Sequence, residues 1–90
     1  MKRAIITVVG QDTVGIIARV CTCLADEKVN ILDISQTIVS GYFNMMMIVD
    51  VSGRDADFDK LADLLEKKGE EIGVVIKMQR EEIFDSMHRL

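Results

Sequence analysis

The stretch Val8-Val9-Gly10-Gln11-Asp12-Thr13-Val14-Gly15-Ile16-Ile17-Ala18-Arg19-Val20 decides the fold, because the hydrophobic period of the chain changes within it. Residues 4–9 are an apolar run rich in β-branched side chains, which is typical of a buried strand. Beyond the glycines, apolar side chains recur at the spacing of one helix face: Ile16, Ile17, Val20, Cys21 and Leu24. The stretch is therefore predicted to join a strand to a helix. Such a joint favours an anionic ligand group, because the first N–H groups of a helix are unpaired.

The rest of the chain gives five further elements. We predict them from alternation, helical spacing and turn residues, with Asp12 or Thr13 as the N-cap of the first helix. The predicted elements are strand Arg3–Val9, helix Val14–Lys28, strand Asn30–Val39, strand Tyr42–Val51, a helix carrying the stripe Phe58, Leu61, Leu65 and Ile72, strand Val74–Gln79, and an amphipathic helix over 81–90 that carries Ile83, Phe84, Met87 and Leu90.

Strand Tyr42–Val51 is apolar on both faces. One face is wholly apolar and consists of Phe43, Met45, Met47, Val49 and Val51. On the other, Met46 and Ile48, together with Ile5 or Val9, predict an apolar patch on the side of the sheet away from the helices. The methionines are interpreted either as adaptable core filling or as a surface that binds a partner.

The preceding strand has one apolar and one polar face. Its alternation places Leu32, Ile34 and Ile38 on one face, and Asp33, Ser35 and Thr37 on the other. Gln36 interrupts the apolar face of this strand. Its side chain is either hydrogen-bonded within the core, or the residue lies at a β-bulge.

Length and charge restrict the class of protein. Ninety residues with 49% hydrophobic and 29% charged side chains fit a single globular domain over 1–90, with its core in 3–80. A chain of this size buries a modest core, so a partner subunit is expected. The net charge is −4 and the basic residues are dispersed, which argues against direct nucleic-acid binding. No run is long enough to span a membrane, and we expect a cytoplasmic protein.

The two cysteines and the one histidine do not form a reactive group in the sequence. Cys21 and Cys23 are two apart on the predicted helix, so they point about 200° apart and cannot bridge each other or share a metal. We expect Cys21 in the core and Cys23 partly exposed, and His88 on the surface. No metal or cofactor is expected. Ile16-Ile17 stands where a phosphate loop needs Lys and Ser or Thr, and no catalytic triad spacing occurs, so an enzyme is not expected.

The element order predicts a ferredoxin-like α+β fold. Strand, helix, strand, strand, helix, strand gives an antiparallel four-stranded βαββαβ sheet with two helices on one face, followed here by a short C-terminal helix. Right-handed crossovers place the first and third strands in the middle. The second strand is then an edge that invites pairing with another copy.

These residues resemble a known family. Gly10-Gln11-Asp12-Thr13-Val14-Gly15-Ile16, followed by Val29-Asn30-Ile31, is similar to the ACT domain, a small regulatory module that binds amino acids. The resemblance covers Arg3 to about Arg80, and is nearest to stand-alone bacterial and archaeal ACT proteins and the glycine-cleavage-system repressor group.

The resemblance implies a site shared by two subunits. In ACT domains the amino acid lies between the first turn of one subunit and the second strand of its neighbour. By position this implicates Gln11, Asp12, Val14, Gly15 and Ile16 from the turn, and Asn30 and Ile31 from the partner. Backbone N–H groups suit the α-carboxylate, while Asp12 and the Asn30 amide oxygen suit the α-ammonium.

Two functions remain open from the sequence. The first is a homodimeric module, or a higher homo-oligomer, that senses an amino acid and signals to a protein partner. The second is an interaction protein with no ligand of its own, whose partner surface includes Met46, Ile48, Phe84 and Met87.

Overall fold

The computed structural model describes residues 2–11 and 14–87, apart from the side chains of residues 55, 84, 86 and 87. Within these residues the chain forms seven main elements and one 3₁₀ segment. They are β1 (Arg3–Gln11), α1 (Ile16–Asp26), β2 (Asn30–Val39), β3 (Tyr42–Asp50), the 3₁₀ segment (Ser52–Asp57), α2 (Phe58–Ile72), β4 (Val74–Arg80) and α3 (Glu81–Met87).

The four strands form one antiparallel sheet in the order β2-β3-β1-β4. The ferredoxin-like fold, the central pair and the two edge strands are therefore confirmed. Every predicted strand exists. β1 runs two residues beyond its predicted end at Val9, to Gln11, because Gly10 and Gln11 still pair with Phe43 and Tyr42.

The core lies between the sheet and one side of α1 and α2. Alternate residues of β1, β3 and β4 point into it, and the predicted apolar face of β3 is buried throughout. From the helices it receives Ile16, Val20, Cys23, Leu24, Phe58, Leu61 and Leu65. β3 and β4 alternate buried and more exposed residues, as expected for a sheet covered on one face, and β1 does so from Ile6 to Val9.

The side of the sheet away from α1 and α2, here called the open face, is partly covered by α3. Ile5 alternates with the core residues Ala4 and Ile6, yet it is only 5% exposed. α3 contacts β1 and β4, and Glu81 forms an ion pair of 2.5 Å with Arg3. The C-terminal helix therefore packs on this chain's own sheet.

Two predictions about this region are only partly met. The apolar patch of the open face consists of Val9 and Met46, with Val75 added from β4, whereas Ile5 is buried and Ile48 half-buried. The helix predicted over 81–90 is described as far as Met87; His88 and Leu90 lie outside the described residues, as do the side chains of Phe84 and Met87.

Helix α1 is shorter and differently rotated than predicted. It begins at Ile16 instead of Val14 and ends at Asp26 instead of Lys28. Its buried side is Ile16, Val20, Cys23 and Leu24. The assignment of the cysteines was wrong, because Cys23 is buried and Cys21 is half-buried. Cys23 lies seven residues after Ile16, two full turns along the same face, whereas Cys21 is turned toward the rim with Ile17.

Strand β2 contains a bulge that the alternation did not locate. The register with β3 shifts between Ile31 and Asp33, so Leu32 is left without a partner in the ladder. Gln36 is not at the bulge and is not buried in the core; it pairs with Met45 and is exposed on the helix side of the edge strand. From Leu32 to Val39 every residue of β2 is exposed.

Candidate functional site

The strand-to-helix joint is built around Gly15. This residue has φ of 87°, a left-handed conformation that glycine adopts without the Cβ clash of other residues, and it is the N-cap of α1. Asp12 and Thr13, the predicted N-cap residues, lie outside the described part of the chain. Val14 is fully exposed.

The first turn of α1 offers backbone donors. The first helical hydrogen bond runs from the N–H of Arg19 to the carbonyl of Gly15, at 3.0 Å. The N–H groups of Ile16, Ile17 and Ala18 precede it and have no carbonyl one turn earlier in the helix. Gly15 has no side chain with which to cap them. The end of α1 therefore presents donors and the positive end of the helix dipole.

A cavity of about 150 Å³ adjoins this helix end. It lies on the helix side of the sheet, between the first turn of α1 and the last part of β2. Its lining consists of Gly15, Ile16, Ile17, Ala18, Gln36, Ile38 and Phe43. Gln36 is its polar side chain, and none of these residues is charged.

The structure separates the two halves of the expected site within one chain. Gly15 and Ile16 line the cavity, together with Ile38 and Phe43, whereas Asn30 pairs with Asp50 at the far end of β2. Eight residues separate Asn30 from Ile38, about 26 Å at roughly 3.3 Å per residue. Within one chain, Asn30 and Ile31 therefore do not reach this helix end.

Sequence reasoning missed the β2 part of the cavity. Gln36 was noticed only as an interruption of an apolar face, although a polar side chain on that face is the signal that pointed to this place. Ile38 was assigned to the apolar face of its strand, and in the structure it is 58% exposed. Both residues lie on β2 near the helix end, which only the tertiary arrangement reveals.

A larger cavity of about 560 Å³ lies between α1 and α2, with charged side chains of both signs around it. Cys23 lies at its floor, and burial raises the pKa of this thiol above its ordinary value. The lining is Cys23, Asp26, Glu27, Lys60, Asp63, Leu64, Lys67, Lys68 and Glu71. Lys68 and Glu71 already pair across 3.3 Å, so we interpret this cavity as a solvated groove between two helices.

The carboxyl groups with shifted pKa values lie at the end of the sheet remote from Gly15. Hydrogen bonds from Arg54 lower the pKa of Asp57, and the same guanidinium donates to the Glu27 carbonyl at 2.8 Å. Bonds from the Ser52 hydroxyl and N–H lower the pKa of Asp50. These contacts tie the 3₁₀ segment to α1 and β3, which is a structural role.

The described residues also bear on metal binding and on membrane insertion. Among residues 2–11 and 14–87, no three His, Cys, Asp or Glu side chains are grouped so as to hold a metal ion. Within the same part of the chain, no helix is both long enough and apolar enough to cross a membrane.

Comparison with known proteins places these features in a family context. The ACT domain family matches residues 2–79. A UPF0237 protein from Bifidobacterium longum is 66% identical over 90 residues, with the match covering all of both chains. The structure of an ACT domain protein from Streptococcus pneumoniae superposes with a TM-score of 0.84 and 42% identity, covering 97% of this chain and 98% of that one.

A more distant structure shows the fold alone. A protein provisionally assigned as a glycine cleavage system transcriptional repressor has a TM-score of 0.76 at 23% identity, and the match covers 88% of this chain and 45% of that one. The expected similarity to that group is therefore present at the level of the fold.

Proposed function

The chain belongs to the ACT domain family, and we propose that it is an amino-acid-binding regulatory domain that acts as a homodimer and transmits ligand occupancy to a protein partner. ACT domains are in general regulatory domains that bind small molecules. The observation that carries the proposal is the first turn of α1 behind Gly15, whose leading N–H groups have no carbonyl partner within the helix, next to a cavity. Its role is regulatory and not catalytic, and its location cytoplasmic.

The turn supplies the groups that an amino acid needs. The first N–H groups of α1 bind the α-carboxylate, because the helix dipole and the unpaired donors act in the same direction. Asp12 binds the α-ammonium as its counter-charge. Gln11, Val14, Gly15 and Ile16 shape the turn around the ligand.

The edge strand β2 supplies the second subunit. In the proposed dimer, the β2 strands of two subunits pair antiparallel, with the two Ser35 residues opposite each other at the two-fold axis. Pairing then extends over the whole length of both strands. Across the bulge, this register places Asn30 of the partner subunit opposite Val39, and Ile31 of the partner subunit opposite Ile38. The side chains of Ile31 and Ile38 both lie on the helix side of the sheet, so Ile31 of the partner subunit faces the same side as the cavity. The dimer thus brings the missing half of the site to the cavity.

Ligand-induced stabilisation tests the proposal. A ligand that binds only the folded protein stabilises it by about 2.7 kcal/mol at a concentration one hundred times its Kd. We expect at least one of the twenty amino acids to raise Tm at millimolar concentration, and Asp12→Asn to abolish that increase. Asp63→Asn, an exposed acid on α2, is the matched control and should retain it. If none of the twenty amino acids moves Tm, the proposal is wrong.

The open face supports a second candidate function. Val9, Met46 and Val75 are each more than 40% exposed there, as expected for a docking surface. In this alternative the chain binds a protein partner and has no ligand. Met46→Glu would then abolish partner binding that Asp12→Asn leaves intact, measured with a purified partner.

A further inference from the structure

We propose that the cavity beside α1 holds the side chain of the amino acid, and that it selects an aliphatic side chain of about the size of leucine or methionine. This inference rests on the proposed function, because it names the class of ligand for the same site. It is carried by the lining of the cavity and by its size.

The lining favours an apolar occupant. Ile16 and Phe43 are each 2% exposed and form the floor of the cavity, whereas Ile17 and Ile38 at its rim are 37% and 58% exposed. A hydrocarbon placed between them removes apolar surface of the rim from water, which is favourable in proportion to the area covered.

The volume of the cavity suits an occupant of medium size. An enclosed cavity of about 150 Å³ lined by aliphatic and aromatic residues holds a molecule the size of benzene. The cavity beside α1 has about this volume and is partly open to solvent. The side chains of valine, leucine, isoleucine and methionine fit within that limit. Alanine leaves most of the space empty.

The lining of the cavity disfavours charged side chains. Among the described residues that line the cavity none is charged, and Gln36 offers one neutral amide. A carboxylate or ammonium side chain would lose hydration there without gaining a counter-charge. Aspartate, glutamate, lysine and arginine are therefore disfavoured.

Calorimetric titration of the full chain tests this inference. We expect leucine, isoleucine, valine or methionine to bind at least tenfold more tightly than alanine, since each methylene in an apolar pocket contributes about tenfold or more. Aspartate and lysine should bind more weakly still.

Variants that fill the cavity provide the decisive measurement. Ile38→Phe, and independently Ile17→Phe on α1, should weaken leucine binding about tenfold or more while alanine binding is retained. Val75→Phe on the opposite edge strand is the control and should leave both affinities unchanged. Native mass spectrometry verifies that the variants keep the oligomeric state of the parent chain.

The outcomes separate this inference from the proposed function. Tightest binding of a charged amino acid, or an equal effect of the filling variants on leucine and alanine, overturns the aliphatic assignment while the amino-acid site stands. Absence of binding by any amino acid overturns the proposed function and this inference with it.

Discussion

At the scale of single residues, two positive φ angles shape the ends of α1. Gly15 begins the helix with φ of 87°, and Lys28 ends it with φ of 59°. After the C-cap Glu27, the N–H of Lys28 bonds to the Ala25 carbonyl and that of Val29 to the Leu24 carbonyl, the pair of bonds of a Schellman motif. Lys28 occupies the position where glycine is usual.

Lys28→Gly is therefore expected to stabilise the protein. The side chain is exposed, so the substitution removes backbone strain at little cost in packing. We expect the free energy of unfolding to rise by about 0.5–1 kcal/mol. The left-handed conformation costs residues other than glycine about 1–2 kcal/mol, and the greater conformational entropy that glycine loses on folding offsets part of this gain. Urea denaturation measures the change. Lys67→Gly, at an exposed position inside α2, is the control and should lower the free energy of unfolding by about 1 kcal/mol. If both variants changed the free energy of unfolding in the same direction, strain at Lys28 would not be the cause.

At the scale of elements, the packing of α2 on β4 depends on Gly69. From the sequence alone, a glycine inside a helix is expected to destabilise that helix by about 1 kcal/mol relative to alanine. In the structure a Cβ at this position would lie 2.8 Å from the Val74 carbonyl oxygen and 2.9 Å from the Ile76 Cγ1. Gly69 is itself buried, and it lets the helix approach the strand closely.

Gly69→Ala is expected to destabilise the fold although alanine is the better helix former. Since one of the clashing atoms belongs to the backbone, the helix must shift, and overpacking of this kind costs about 1–3 kcal/mol. The midpoint of chemical denaturation should fall accordingly. Gly53→Ala is the control, because its Cβ would meet nothing within 4 Å. A neutral or stabilising effect at Gly69 would show that α2 is free to move away from the sheet.

At the scale of the whole molecule, the two edges of the sheet differ. β4 is held by α2 and α3, whereas β2 contacts chiefly β3 and is exposed from Leu32 to Val39. A ten-residue edge with apolar side chains and one charged residue, Asp33, is unusual, because natural edges are commonly protected by charges or coverage. This asymmetry supports a dimer through β2.

Ser35→Lys is expected to dissociate that dimer. In the register centred on Ser35, two lysines would face each other across the two-fold axis, and like charges directly opposite destabilise strand pairing. Sedimentation velocity should show monomers, and the ligand-induced rise in Tm should be lost because Asn30 of the partner subunit is removed. Val75→Lys places the same charge on the open face at the other edge and should leave the dimer intact. If Val75→Lys dissociates the dimer and Ser35→Lys does not, association proceeds through the open face.

Hydrophobic periodicity was sufficient to predict the buried face of an element whose one face packs on the core and whose other face is exposed to solvent. The alternation of β3 from Phe43 to Val49, and the stripe of α2 from Phe58 to Leu65, gave the correct buried faces for this reason. It failed on α1, where Ile17 and Cys21 are as apolar as Cys23. The choice among them depends on how the helix is rotated against α2 and the sheet, which is a property of packing and not of spacing.

The sequence by itself determined the order of the elements, the arrangement of the four strands and the position of the turn before α1, since these follow from local periodicity, chain connectivity and glycine. Only the tertiary structure decided that Gly15 begins the helix, that Gln36 and Ile38 meet its first turn in a cavity, and that Asn30 lies about 26 Å away at the far end of β2. Contacts between residues distant in sequence depend on strand register, a bulge and helix rotation. Small differences in packing free energy fix these three features, and no local pattern in the chain encodes them.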